Sequence, residues 1–178
     1  MKVISGCQNG VDQAALFAAE KLGIETGGWI PKGCKTLDGP RFDLRDRFKL
    51  QEHSSSNYAD RTADNVASSD GTLRIAADFK SAGERCTKKA IDNHCKPYLD
   101  IQVLPVWGPN KVFYGYEIIT FITSDDVVQW LLDNKISVLN VAGNAEQTAP
   151  GIQKYAQSIL ERVFEKWKLA QSLSSSQS

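Results

Sequence analysis

The first 23 residues constrain the fold more than any other stretch. Lys2-Val3-Ile4-Ser5 is a short apolar run, and from Gly10 to Gly23 the residues Val11, Ala14, Ala15, Ala18, Ala19 and Leu22 recur at spacings of three and four. The first pattern predicts a buried strand and the second a helix with one apolar face. Only Ser5-Gly6-Cys7-Gln8-Asn9-Gly10 separates them, so a tight turn must bring the helix back over the strand. Glycines allow positive φ and close ligand approach in such a turn, and the helix start near Val11 offers free backbone N–H groups.

The same alternation continues. Gly27-Gly28-Trp29-Ile30-Pro31 reads as a second short strand or edge, and 31–57 as a long loop broken by Gly33, Gly39, Pro40 and Ser54-Ser55-Ser56. Loops of that length are usually functional or mobile. A helix is expected from Tyr58 to Ser68, capped by Ser56 or Asn57, with Tyr58, Thr62, Asn65 and Val66 inward. Strands are expected at 72–77, 97–101 and 136–141, with helices from about Glu84 to His94, from Ser124 to Asn134 and from about Ala149 to Leu169. Pro105, Gly108-Pro109-Asn110 and Gly115 set among Val, Trp, Phe and Tyr make 103–120 an aromatic-rich insertion of strand or hairpin character.

Strands alternating with helices predict an α/β, Rossmann-like fold: a mostly parallel central sheet with helices on both faces. With 178 residues the chain fits one domain, taken as 1–170, with 171–178 a Ser-rich disordered tail. Right-handed crossovers place the strand-to-helix loops together at the carboxyl edge of the sheet, where such folds bind ligands.

Lys plus Arg is 21 and Asp plus Glu is 21. That balance argues against a broad basic surface for nucleic acid or anionic membrane. No apolar run reaches the ~18–20 residues of a membrane span and the amino terminus turns polar too early for a signal peptide, so a cytoplasmic protein is expected. Cys7, Cys34, Cys86 and Cys95 lack Cys-x-x-Cys spacing and have only His53 and His94 as companions, which predicts reduced thiols and no structural metal.

Three glycine-bearing turns converge at the predicted carboxyl edge: Ser5 to Gly10; Ser81-Ala82-Gly83-Glu84-Arg85-Cys86-Thr87; and Asn140-Val141-Ala142-Gly143 followed by Thr148-Ala149-Pro150-Gly151. Helix amino termini hold phosphate without a large net charge. The residues point to a small phosphate-bearing ligand held at Gly6, Cys7, Gln8, Asn9, Gly10, Ser81, Gly83, Glu84, Thr87, Asn140, Gly143 and Gly151. Pro150 suits the first turn of a helix. Neither Gly-x-x-x-x-Gly-Lys-Ser/Thr nor a full Gly-x-Gly-x-x-Gly is present, against a P-loop nucleotide hydrolase and ordinary dinucleotide hydride transfer.

Other side chains carry two readings each. Asp12 and Asp70 can orient a ligand, and are more often caps or Asx-turns; Asp38, in the long loop, stays open. Cys7 suits a soft metal as a thiolate, or is simply a small buried residue. Arg61, like Arg41, can grip phosphate or make a surface ion pair. Trp29 can stack on a heterocycle or cover an apolar edge.

Ile4-Ser5-Gly6-Cys7-Gln8-Asn9-Gly10-Val11-Asp12-Gln13-Ala14-Ala15-Leu16 resembles the Ser-Gly-Gly-Gln-Thr-Gly-Val-Asp-Arg-Ala-Ala opening of the putative molybdenum carrier family. Gly27-Gly28-Trp29-Ile30-Pro31-Lys32-Gly33, Asp38-Gly39-Pro40, Tyr58-Ala59-Asp60-Arg61-Thr62 with Asn65-Val66, Ser69-Asp70-Gly71-Thr72, and Asn140 to Gly143 with Pro150-Gly151-Ile152 are similar to its later blocks, over about Lys2 to Val163. The resemblance implies the Rossmann-like group that includes lysine-decarboxylase-like phosphoribohydrolases and nucleotide-ligand sensors, a homo-oligomer such as a dimer or tetramer, and a carrier of the molybdenum cofactor, a phosphate-bearing pterin (molybdopterin). It also adds Lys32, Gly39 and Gly71 to the expected ligand-binding residues. The chain departs from the pattern at Cys7 and Asn9, and its second loop has one glycine where relatives have Gly-Gly-Thr. A phosphoribohydrolase needs Pro-Gly-Gly-x-Gly-Thr-x-x-Glu, and here the residue three after Thr87 is Ala90. Carrier, nucleoside-monophosphate phosphoribohydrolase and nucleotide-ligand sensor are the three readings.

Overall fold

The computed structural model describes residues 1–120 and 122–175. Its strands are β1 (Lys2–Ile4), β2 (Glu25–Gly27), β3 (Trp29–Ile30), β4 (Lys35–Thr36), β5 (Gly39–Pro40), β6 (Gln51–Glu52), β7 (Gly71–Ala76), β8 (Tyr98–Trp107), β9 (Phe113–Ile118) and β10 (Val138–Gly143). Its α-helices are α1 (Val11–Lys21), α2 (Phe42–Arg47), α3 (Tyr58–Ala67), α4 (Ala82–His94), α5 (Ser124–Asp133) and α6 (Ile152–Ser175).

Six strands form the central sheet in the order β2-β1-β10-β7-β8-β9, all parallel except the β8–β9 pair. The α/β, Rossmann-like architecture expected from the alternation is present. The aromatic-rich 103–120 stretch is the second half of β8 and its hairpin return β9, with an irregular register at Val106/Trp107.

The strand order has an unusual feature. The last strand, β10, lies in the middle, between β1 and β7. If the β10–α6 unit preceded β1 in the chain, the order would become 3-2-1-4-5-6, that of a doubly wound dinucleotide fold. The chain therefore carries that fold with its first unit moved to the end. The point where strand order reverses, the ligand crevice in such sheets, falls between β10 and β7.

The two faces are built differently. Val3, Leu73, Ile75, Ile101, Val103, Leu139 and Val141 alternate onto one face, where they pack with α1, α5 and α6 through residues such as Ala15, Leu131, Leu160 and Phe164, all at most 1% exposed. On the other face Thr72, Arg74, Asp100 and Asn140 stand between those positions, beneath α3 and α4, whose apolar cluster is confined to Val66, Ala90 and Ile91 with Ala63 against it.

The expected long loop has its own structure: a single turn of 3-10 helix at Lys32–Cys34, the β4–β5 hairpin, α2, and β6 paired parallel to β3. Leu44, Phe48 and Leu50 hold it against Leu16, Ile30, Cys7 and Cys34 in a separate buried cluster. These elements are too short to leave a periodic signature. Thr123 caps α5 in a reciprocal capping box with Asp126. Pro150 lies before α6 rather than in its first turn. The helix α6 continues to Ser175, through part of the stretch expected as a tail; 176–178 lie outside the described residues.

Candidate functional site

A cavity of about 480 Å³ opens at the crevice, within the size range of small-ligand pockets. Its walls come from four places: Gly6, Gln8 and Asp12 after β1; Tyr58, Arg61, Thr62 and Asn65 on α3; Ser81 to Glu84 and Thr87 at the start of α4; and Asn140 to Ala145 with Thr148 around the end of β10. Leu37, on the β4–β5 turn, closes one side. The turn is tied to the first loop because Gln8 donates through Nε2 to the Lys35 carbonyl and accepts from the Leu37 N–H, while Asn9 donates to the Asp38 carboxylate at 2.8 Å.

Asn144 fixes the crevice. Its Oδ1 accepts from the Ala77 and Asp78 N–H groups at 2.9 Å each, its Nδ2 donates to the Asp78 carbonyl, and its own carbonyl accepts from the Val11 N–H. The buried Asn144 side chain thus joins the loops after β7 and β10, while its backbone carbonyl steadies the start of α1.

The three loops do not contribute alike. In the first, the Gln8 N–H donates to Asp12, the Gly10 N–H to Gln153 Oε1, and the Val11 N–H to Asn144. Gly10 is required there: at φ 98° a Cβ would lie 2.4 Å from the Asn144 carbonyl oxygen. In the third, the Glu146 carboxylate already caps α6, accepting from the Gly151 and Gln153 N–H groups at 2.6 and 2.7 Å. That carboxylate fills the place an anion would take. The start of α4 carries a hydroxyl cap and no carboxylate. Ser81 accepts from the Glu84 N–H at 3.4 Å, and a Cβ on Gly83 would meet nothing within 4 Å.

Arg61 and Asp12 face each other across the cavity floor. Arg61 Nη1 lies 3.3 Å from Asp12 Oδ2, with both side chains at most 10% exposed. The guanidinium rests against the bare Cα of Gly6, where a Cβ would fall 1.4 Å from Nη1. Arg61 Nε is buried with no partner. Burial pushes the Asp12 carboxyl above its ordinary range, against the pull of Arg61.

Glu84 is the second buried acid. Ser81-Ala82-Gly83-Glu84 spells a capping box, yet the Glu84 side chain turns inward instead of back to the helix start. It is 2% exposed, and its Oε2 has no hydrogen-bond partner. Arg74 Nη1 is 3.6 Å away, close enough for charge attraction and too far for a hydrogen bond. Arg74 is committed elsewhere, donating to both Asp100 oxygens and to the Glu84 carbonyl. Burial raises the Glu84 carboxyl to about 8; Arg74 opposes this and Asp12 adds to it.

Of the residues expected to bind ligand, the cavity wall brings together Gly6, Gln8, Asp12, Arg61, Ser81, Gly83, Glu84, Thr87, Asn140 and Gly143. Others lie elsewhere. Asp70 and Gly71 are at the opposite, amino edge of the sheet, because Asp70 precedes β7 and Gly71 opens it; the Asp70 carboxylate accepts from the Ser137 and Val138 N–H groups and sets the start of β10. Cys7 points into the apolar cluster under α2, fully buried, its thiol pushed up to about 12 chiefly by burial. A thiol held protonated there does not serve as a soft thiolate ligand. Asn9, Gly10, Asp38 and Gly39 belong to the loop and hairpin behind the wall. Trp29 is held by Asn65, which accepts from its N–H and donates to its carbonyl, and packs edge-on to His53. Lys32 begins the 3-10 turn and Gly151 sits under Phe113.

Sequence reasoning missed Asn144 and Arg74. A charge inside the apolar run Thr72-Leu73-Arg74-Ile75-Ala76-Ala77 was the available signal for Arg74; nothing local marks Asn144. Among the described residues no group of three His, Cys, Asp or Glu side chains is placed to hold a metal ion, the four cysteines are free, and no helix is long and apolar enough to cross a membrane.

Residues 3–164 match the family described as circularly permutated YpsA SLOG, in accord with a strand order that becomes regular when β10–α6 is moved to the front. The chain belongs to this family. A crystal structure titled as a putative molybdenum carrier protein from Syntrophus aciditrophicus SB is similar to it at 32% identity and a TM-score of 0.74, over 91% of this chain and 93% of that one. Among curated proteins there is no match.

Proposed function

We propose that this SLOG-family protein is a carrier that binds a small phosphate-bearing heterocycle, pterin-like or nucleotide-like, in the β10/β7 crevice, with the molybdenum cofactor as cargo. The observation that carries the reading is the cavity wall, which holds both an α4 amino terminus capped by a hydroxyl rather than a carboxylate and a buried arginine whose Nε has no partner among the described residues. An anionic group seated there gains the α4 N–H groups and a charge-assisted bond from Arg61. The similarity to a protein titled as a molybdenum carrier supports the choice of cargo. The homo-oligomer implied by the family resemblance is part of the proposal, and gel filtration with light scattering measures it directly.

Anaerobic titration with molybdenum cofactor, molybdate, AMP and ADP-ribose, read by thermal shift and product formation, tests the reading. Saturable cofactor binding without turnover is expected; no stabilisation by the cofactor removes it as cargo. Gly6→Val, which drives Arg61 off its seat, should weaken any phosphate-bearing ligand, and unchanged affinity would discard the Arg61 seat. A second reading, cleavage of a nucleoside monophosphate, is favoured by one feature: Glu84 is a buried acid that holds its proton near neutral pH inside the cavity. Release of adenine from AMP, lost in Glu84→Ala, would select it.

A further inference from the structure

The outer end of the sheet lacks a helix for which its topology leaves room. α4 joins β7 to β8 across the α3/α4 face, and a parallel crossover from β8 on to β9 would lay a further helix beside it. Here the chain turns back through the 3-10 turn Pro109–Lys111 and β9 runs antiparallel, so there is no such helix. The consequence is written along β8. Ile101 and Val103, on the α6 side, are at most 1% exposed, whereas Tyr98 and Leu104, on the α4 side, are each 40% exposed. Register sets the exposed Glu117 of β9 beside Leu104 on this bare face.

A surface groove of about 480 Å³ borders it, walled by Arg85, Lys88, Lys89 and Asp92 of α4 and floored by Arg74 and Phe79. Tyr98 joins the groove to the strands: Lys88 Nζ lies 4.9 Å and the Arg74 guanidinium 5.5 Å from its ring centre. Arg85, Lys88 and Lys89 stand three and four residues apart, on one side of the helix. Lys88 pairs with Asp92. Arg85 and Lys89 have no acidic partner among the described residues. Like charges one turn apart weaken a helix, so this flank of α4 carries a repulsion that nothing in the chain answers.

We propose that the bare face and its basic flank dock an acidic amphipathic helix of another protein, which takes the place of the absent crossover helix. Its apolar side meets Tyr98 and Leu104, and its carboxylates meet Arg85 and Lys89. Charge selects this occupant. A second copy of the chain, packed through the same face, presents the same cations on both sides of the contact. The 13 residues of α4 span about 20 Å at 1.5 Å per residue, so a partner helix of similar length fills the groove.

The test uses an amphipathic peptide of about 15 residues, long enough to form a helix on a surface, with leucine on one side and glutamate on the other. Its lysine counterpart and a scramble of the glutamate peptide are the controls. Binding to the full chain is measured by calorimetry and mapped by amide NMR shifts, with thermal melts confirming that each variant is folded. The glutamate peptide should bind saturably and more tightly at low salt, with shifts confined to α4, β8 and β9. Arg85→Glu combined with Lys89→Glu should weaken it at least about tenfold and gain affinity for the lysine peptide. Leu104→Ser should weaken the glutamate peptide with the charges intact. Equal binding of the lysine or scrambled peptide, shifts centred on the β10/β7 crevice, or no binding overturns the proposal. So does a dimer in light scattering that Leu104→Glu disperses, which gives the face to a second copy, or uptake by phosphatidylserine vesicles in place of the peptide, which gives it to a membrane.

Discussion

The two faces of the central sheet share their strands and differ in almost everything else. Under α1, α5 and α6 the strand side chains are Val, Ile and Leu, and the helices meet them with Ala, Leu and Phe. Under α3 and α4 the same strands present Thr72, Arg74, Asp100 and Asn140, the apolar cluster shrinks to three buried residues, and the cavity occupies the remaining space. The dry face supplies cohesion through apolar burial of about 25 cal/mol per Å². The wet face holds buried polar groups, two of them with atoms left unpartnered, an arrangement that stabilises little and suits binding. The apolar core and the cavity thus lie on opposite sides of one sheet.

That contrast breaks most sharply at Arg74, a buried cation of the wet face that bonds Asp100 and the Glu84 carbonyl. Arg74→Ala leaves Asp100 and Glu84 side by side without their cation, and should cost about 3–5 kcal/mol in urea unfolding. On the dry face Leu139→Ala should cost about 2–5 kcal/mol through the cavity it opens, with no change in ligand affinity per folded molecule. If Arg74→Ala melts like wild type, the wet face has no structural keystone.

Asn144→Ala tests the junction between the faces. It strands the Ala77 and Asp78 amides and should cost about 1–3 kcal/mol. Because those amides shape the crevice, ligand affinity should fall as well, and a loss of stability with affinity intact would detach Asn144 from the site.

Glu84 gives the wet face a pH signature. An acid whose folded pKa is raised from 4.5 to about 8 binds more proton folded than unfolded across that window. Stability therefore falls as pH rises from about 4.5 to 8, and is flat in this group on either side. The slope is at most about 1.4 kcal/mol per pH unit. Glu84→Gln should remove that decline, so its stability relative to wild type grows with pH, as denaturation series at pH 5, 6, 7 and 8 would measure; parallel curves would place Glu84 in contact with solvent.

The dry face was the legible one. Apolar residues at three- and four-residue spacing from Val11 to Leu22, and apolar runs at β1, β7 and β10, announce helices and strands because burial imposes the period. The glycine turns were legible as turns, but not as occupied or open: whether Glu146 caps α6, or Gln153 takes the Gly10 amide, depends on residues 5 to 143 positions apart in the chain. The same limit misplaced Asp70, whose turn looks locally like a ligand loop and lies at the other edge of the sheet. The elements between Pro31 and Asn57 escaped because two-residue strands and a six-residue helix owe their form to Phe48, Leu44 and Ile30 meeting Leu16, a tertiary contact.

Gly83 offers the smallest effect and the cleanest separation of the two roles. It occupies the second position of α4, its φ is not in the left-handed region, and a Cβ would enter open space. Stability alone would favour alanine: Gly83→Ala should raise stability by about 0.5–1 kcal/mol, since glycine costs that much in a helix. The same methyl would project beside the α4 amides where the anion is proposed to sit, so phosphate affinity should fall while the melting temperature rises. A variant that gains stability and keeps its affinity would move the anion seat away from α4, leaving Arg61 as the candidate phosphate contact and the wet face without its helix terminus.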